Sequence, residues 1–309
     1  MLDKIKPLTP ELAIKVCSAI PQNRMIEYDS YMFSPVYYLF TGRFGGWMYL
    51  DEDGVCDCIL KHPNKSGAGI VLPAFDTNNG VLRLCVSQDI VRALHDQYPN
   101  VDISLGRVPE SHGTEIDNIS FHPVTETLLD WLYPTRILST SDVYHLRGKG
   151  FQQVRQRLNQ LNTADLSTGC IQIKRDRQEL LDVVYDWACQ YGNTGYSYDD
   201  LTGPCNALLE LMQNTDLKLY GQKLLFRGRI KAFCIYEIAN NTIANEFAIT
   251  ADKNIAGLSE YQIYDMCRQL HVAGIKYVNL GGSETAGLDR FKKKFAPAIS
   301  HKLQTYKMK

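Results

Sequence analysis

Residues 218–250 read KLYGQKLLFRGRIKAFCIYEIANNTIANEFAIT. Three apolar-rich runs are separated by Arg227-Gly228-Arg229 and by Asn240-Asn241. Glycine and asparagine are the residues that tight hairpin turns demand, because they tolerate positive φ. The stretch therefore predicts an antiparallel meander over 218–226, 230–238 and 242–250.

Working outward, 259–273 has a helical period, 276–280 is strand-like, 285–295 is helical and 301–308 alternates as a strand. Upstream, 151–161 places Phe151, Val154, Leu158 and Leu161 on one helical stripe. A strand is predicted at 170–174, a helix at 177–191 and a shorter one at 206–213. In the first half, Thr9-Pro10 opens a helix reaching residue 20, as an N-cap followed by proline at the first helical position. Strands are expected at 36–40, 46–50, 55–60, 68–73, 101–105 and 119–121, and helices at 87–97 and 124–132. Turn residues around 134–141 predict two domains, 1–138 and 139–309.

The chain has 309 residues, enough for two cores, with 45% hydrophobic and 22% charged residues. A net charge of −1 excludes a protein that coats nucleic acid by bulk charge, so any RNA contact must be a local patch. Nine scattered cysteines do not read as a disulfide framework. No run is apolar enough to predict a transmembrane segment, and a cytoplasmic location is expected.

Two segments carry a family resemblance. The first is Tyr144-His145-Leu146-Arg147-Gly148-Lys149-Gly150-Phe151 with Arg155 and Asn159. The second is Asn279-Leu280-Gly281-Gly282, then Gly287-Leu288 and Phe291-Lys292-Lys293-Lys294-Phe295-Ala296-Pro297. Together they resemble the phosphatidylglycerol lysyltransferase C-terminal domain family, and the Phe291–Phe295 stretch is also similar to the Fem aminoacyltransferases. The resemblance implies an α+β fold of two GNAT-like (acyl-CoA N-acyltransferase-like) domains in tandem. Their sheets would be mostly antiparallel and mixed, flanked by helices, the first domain degenerate and the second carrying the active site. It further implies aminoacyl-tRNA as co-substrate, an amine-bearing small molecule or peptide as acceptor, and no tightly bound cofactor. Where the family's pattern carries a Glu before an Ala-Asp pair, this chain has Ala248. Glu246, two residues earlier, would share its face in a regular strand.

Lys292 lies beside the arc of Leu288, Phe291 and Phe295, so its stem can follow buried surface while its ammonium reaches a cleft. A fixed cation there would stabilise the oxyanion of acyl transfer. The competing reading is a solvated surface lysine, the expectation for Lys293 and Lys294. Arg147, Lys149, Arg155 and Asn159 form a candidate phosphate-binding group for the donor. Asn279, Gly281 and Gly282 form a strand-to-helix turn suited to an oxyanion or phosphate, or only a tight turn with Ser283 as N-cap. Glu246, Asp252 and Glu284 are the candidate proton acceptors for the attacking ammonium, Glu246 and Glu284 being the leading catalytic pair, while Asp252, Tyr236 and Tyr261 would line the substrate cleft. Residues 252–259 fit an acyl-CoA pyrophosphate loop poorly. Cys56-Asp57-Cys58 has no second ligand pair, so no metal site is expected. The leading expectation is aminoacyl transfer to an amine. The alternatives are an acyl-CoA or carrier-thioester N-acyltransferase and a catalytically silent binding module.

Overall fold

The computed structural model describes residues 5–18, 28–50, 55–61, 68–76, 82–83, 102–110, 121–124, 132–190, 195–214 and 216–308. The chain divides into two compact units. One comprises Met1–Thr135, Gly281–Ala286 and Ser300–Lys309, and the other comprises Arg136–Leu280 and Gly287–Ile299. Among the described residues, no helix is long and apolar enough to cross a membrane.

The first unit begins with β1 (Ile5–Pro7), α1 (Pro10–Ser18) and α2 (Pro35–Thr41). It continues with β2 (Gly46–Leu50), β3 (Val55–Lys61), β4 (Ala68–Asp76), β5 (Leu82–Arg83), β6 (Asp102–Pro109) and β7 (Phe121–Val124). Residues 36–40, expected as a strand, are helical. Ser34 accepts a hydrogen bond from the Tyr37 amide and Pro35 occupies the first turn, so local capping overrides the β-branched and aromatic composition. β1 to β4 form antiparallel neighbours, whereas β4 pairs β6 in parallel. The helices expected at 87–97 and, nearly all of it, at 124–132 lie outside the described residues.

The second unit is built on a sheet of order β14-β8-β13-β12-β11-β10-β9. Its elements follow as β8 (Thr135–Ser139), α3 (Thr140–His145), α4 (Gln152–Gln160), β9 (Leu166–Cys170), α5 (Ile173–Gln190) and α6 (Tyr198–Leu211). Then come β10 (Leu219–Phe226), β11 (Arg229–Ile238), β12 (Ile243–Ala251), α7 (Leu258–Val272), β13 (Tyr277–Asn279), α8 (Ala286–Lys293) and β14 (Ile299–His301). The expected meander is present, with Arg227 and Gly228 at positive φ in its first turn. α6 starts well before residue 206 because Ser197 and Asp200 form a reciprocal capping box, and Pro204 is accommodated within it.

On one face of this sheet α3, α4, α7 and α8 bury Leu138, Val154, Cys234, Ala244, Met266, Val278 and Phe295 in one core. α5 packs against β11 and β12. The strand expected at 301–308 forms as β15 (Leu303–Met308), but it pairs with β6 and β7 in the first unit's sheet. The boundary therefore does not fall at 138/139 with everything later in the second unit. Alternation reveals that a segment is a strand, but not which sheet will receive it.

Candidate active site where two strands part

β12 and β13 pair in parallel only through Ile243 with Tyr277, Ala244 with Val278 and Asn245 with Asn279. β13 then ends, while β12 continues to Ala251. Glu246 and Leu280 are the first residues beyond the last pair. At this point the register of β12 against β11 slips, with Tyr236 opposite Glu246 but Ile235 opposite Ala248. Phe247 is the extra residue of a β-bulge. Its consequence corrects the regular-strand expectation. Glu246 shares a face with Tyr236, and Ala248 is turned to the opposite face with Ile235. Asn279 is also on that opposite face, in a buried row with Asn245 and Glu237.

α8 is strapped across the end of β13. Arg136 donates to Asp289 from Nε and Nη2 at 3.0 and 2.8 Å, and Lys293 pairs with the same carboxylate at 2.7 Å. Lys294 pairs with the buried Glu260 in the first turn of α7 at 2.9 Å, so it is not the solvated lysine expected. Between them, Lys292 is 5% exposed and its Nζ donates to the Leu280 carbonyl at 2.6 Å. The apolar flank of Phe291 and Phe295 packs into the same core as Tyr236. Lys292, Tyr236 and Glu246 thus belong to one face of one unit, around the point where the strands separate. Burial raises the Tyr236 phenol, keeping it a protonated hydrogen-bond donor, and burial together with Asp265 raises Tyr261.

A further polar group on α7 escaped the sequence reading. Asp265 is buried and accepts from Gln222, Arg268 and Gln269. One turn earlier, Gln262 is 1% exposed, and neither atom of its side-chain amide has a hydrogen-bond partner among the described residues. Leaving such a group unsatisfied costs about 1–3 kcal/mol. Its signal in the sequence is the spacing of Gln262, Asp265 and Gln269, which puts polar residues on a face where Leu258 and Met266 would predict apolar ones.

The basic segment separates into structural and exposed cations. Arg155 Nη1 donates to the Leu146 carbonyl at 2.5 Å and to the Gly148 carbonyl at 2.9 Å, so it holds the loop rather than presenting itself to a phosphate. Arg147 and Lys149 are exposed, and their side chains make no hydrogen bond or ion pair among the described residues. Asn159 is exposed on α4. A Cβ built on Gly150 would stand 3.3 Å from the Ala296 Cβ, so this loop lies against the residues that follow α8.

Asp252 accepts from the Asn254 amide and pairs with Lys231 at 3.1 Å. Burial alone would raise its pKa, but these two partners hold it below the ordinary carboxylate range, which makes it a poor base. Gly281, Gly282 and Glu284 belong to the first unit, where Ser283 forms a β-bridge with Tyr133 and Glu284 is exposed. Ser283 is therefore not the helix cap, and α8 starts at Ala286. At the start of α7, Gly257 has φ 81°, and the Arg157 carbonyl oxygen stands 2.2 Å from where a Cβ would be. A carbonyl oxygen there sets negative charge against the helix terminus that an acyl-CoA pyrophosphate would need. Among the described residues no group of three or more His, Cys, Asp or Glu side chains could hold a metal ion.

Residues 133–306 match the family model described as phosphatidylglycerol lysyltransferase, C-terminal. No curated protein matches the sequence. Among solved structures, a conserved protein of unknown function from Bacteroides thetaiotaomicron superposes with a TM-score of 0.71 at 17% identity, covering 99% of each chain. L-PGS from Bacillus licheniformis gives 0.64 at 14% identity, covering 98% of this chain and 92% of the other. FemX gives 0.59 at 10% identity, covering 98% and 96%. At such identities the likeness is one of fold.

Proposed function

This chain belongs to the phosphatidylglycerol lysyltransferase C-terminal family, and from that premise we propose that it transfers an aminoacyl group from aminoacyl-tRNA to an amine. The observation that carries this reading is the buried Lys292 ammonium, which donates to the Leu280 carbonyl just beyond the last β12–β13 pair, where Glu246 also follows that pair and faces Tyr236. In this reading the chain is a pair of GNAT-like domains acting in the cytoplasm, with the second unit supplying the chemistry and no resident cofactor.

The acceptor nitrogen attacks the ester carbonyl of the charged tRNA. A carbon–nitrogen bond forms, the ester carbon–oxygen bond breaks, and the terminal ribose hydroxyl leaves with a proton. Lys292 stabilises the oxyanion, an interaction worth about 3–4 kcal/mol for one well-placed donor. Glu246 takes the proton from the attacking ammonium, and Tyr236, kept protonated by burial, donates a hydrogen bond to the reacting groups.

The rival donor is an acyl-CoA, and the Arg157 carbonyl beside Gly257 weighs against it. The test is transfer of a labelled amino acid from a panel of charged tRNAs to a panel of amines, run in parallel with acyl-CoA donors and with thermal melts. We expect product and stabilisation with charged tRNA. Stabilisation and turnover with acyl-CoA alone would replace this reading with the thioester one. No turnover with any donor, in a protein that still melts cooperatively, would support a silent binding module.

A further inference from the structure

We propose that the surface formed by the ends of α3 and α7 binds single-stranded RNA by base stacking, an interaction that rests on the aminoacyl-tRNA reading and locates part of it. The observation is a cluster of three aromatic rings on two helix ends. Tyr144 and His271 lie 5.1 Å apart between centroids, with their planes tilted at 31°. His145 stands edge-on to both, at 5.0 Å from Tyr144 and 5.8 Å from His271. Tyr144 is 37% exposed, His145 is exposed, His271 is half-buried, and Val272, next to His271 in the chain, is 77% exposed. Aromatic residues in an ordinary core turn inward, but these form a platform at the surface. A nucleobase has a π face whatever its identity, so such a platform recognises an unpaired strand without demanding a sequence.

The charges are arranged to match. Leu146 ends α3 in the left-handed conformation at φ 50°, and Gly148 follows at φ 84°. Arg155 ties the carbonyls of both residues to one guanidinium, which fixes the loop between them. Arg147 projects from the middle of that stapled loop and Lys149 from its far side, both exposed. Two cations on a tied loop next to clustered surface rings offer phosphate contact and base contact to the same strand. A duplex, whose bases are already stacked on each other, can use only the cations. Asp142, the acidic residue of α3, lies in its first turn, and its carbonyl accepts from the Leu146 amide that opens the loop.

His145 contributes orientation. Its Nδ1 is 2.8 Å from the Ser141 carbonyl oxygen, which is a hydrogen-bond acceptor and so sets the proton on Nδ1. The ring is thereby held edge-on to Tyr144.

The experiment measures fluorescence anisotropy of a labelled 12-nucleotide RNA ending in CCA and of a blunt 12-base-pair RNA duplex, at several salt concentrations, with the full chain. The single strand is expected to bind at least about tenfold tighter than the duplex. Tyr144→Ala with His271→Ala should cost the single strand about tenfold and leave the duplex unchanged. Arg147→Ala with Lys149→Ala should weaken both RNAs and flatten the salt dependence by roughly 0.7 per lost phosphate contact for the single strand. Circular dichroism checks that each variant is folded; Tyr144→Phe, which keeps the ring, should retain binding. Equal affinity for the two RNAs, or full affinity in the Ala pair, would overturn the proposal. So would tighter binding to vesicles containing anionic lipid that is lost in the same variants. Aminoacyl transfer measured alongside separates the two readings. An active enzyme with an unaffected Ala pair removes this surface but keeps the reaction, whereas transfer from acyl-CoA without RNA binding removes both.

Discussion

The helix α8 and the segment from Arg147 to Arg157 carry similar densities of positive charge, yet the structure uses them in opposite ways. At the end of α8 every lysine of the run 292–294 is committed: Lys292 to a backbone carbonyl, Lys293 to Asp289 and Lys294, just past the helix, to Glu260. In the other segment Arg155 and Arg157 are engaged locally, and Arg147 and Lys149 stand in solvent. A cation that is buried and fixed can act on charge that develops during a reaction, because its solvation cost is already met by folding. A cation on a surface loop meets charge that is already present, such as phosphate, and its effect is screened by salt. Two runs of basic residues that look alike in sequence therefore point to chemistry in one case and to binding in the other.

The sharpest way to break this comparison is Lys292→Ala. Transfer should fall about 10²–10³-fold, as for loss of one oxyanion donor, with a melting curve run beside the assay to separate chemistry from stability. A folded variant with the wild-type rate would erase the distinction between the two segments. Next is Arg155→Ala, which frees two carbonyls from a charged donor and should cost about 1.5–3 kcal/mol in denaturant unfolding. Arg155→Lys should recover only part of this, because one ammonium lacks the planar fork. If Arg155→Ala unfolds like the wild type, the guanidinium belongs with the exposed cations after all.

A smaller effect concerns the acids that hold α8 and its surroundings. Burial would raise the Asp289 carboxyl, but Lys293 and Arg136 outweigh it and hold the pKa below the ordinary value. The unfolded chain then binds the proton first, so the stability from this group is complete above about pH 4 and is lost as the pH falls through and below that value. Asp289→Asn should flatten the acid limb of a plot of melting temperature against pH. An unchanged limb would mean that the Arg136–Asp289–Lys293 group is not coupled to folding. Smallest of all, Arg147→Ala and Lys149→Ala should each shift stability by no more than about 0.5 kcal/mol, as expected for surface changes that break no contact. A larger loss would place these two with the structural cations.

Much of the second unit was legible because its signals are local. Hairpin turns at Arg227-Gly228 and Asn240-Asn241, the α7 period and the strand at 277–279 each announce themselves within a few residues. The position of Lys292 beside an apolar arc was equally local, and its side chain is the buried one of three. What sequence concealed was long-range. Nothing near Arg155 signals that its guanidinium will fold back on Leu146 and Gly148. The bulge at Phe247 reversed the face of Ala248 relative to Glu246, because a single extra residue defeats the period-two rule. The helix at 35–41 is hidden for another reason: Val36, Tyr37 and Tyr38 favour strands by composition, whereas the two-residue Ser34-Pro35 cap decides for the helix. Gln262 required knowledge of what surrounds a helix face, which periodicity does not contain.

The pairing of β15 with β6 and β7 has a consequence for how the protein is made. β6 emerges from the ribosome long before its neighbour, with the whole second unit translated in between. That neighbour exists only once residues 303–308 have left the exit tunnel. During synthesis the second unit can complete its sheet while the first still lacks a strand between β6 and β7. The nascent first unit therefore exposes an open sheet edge for the longest part of translation, and this is where a chaperone would be needed.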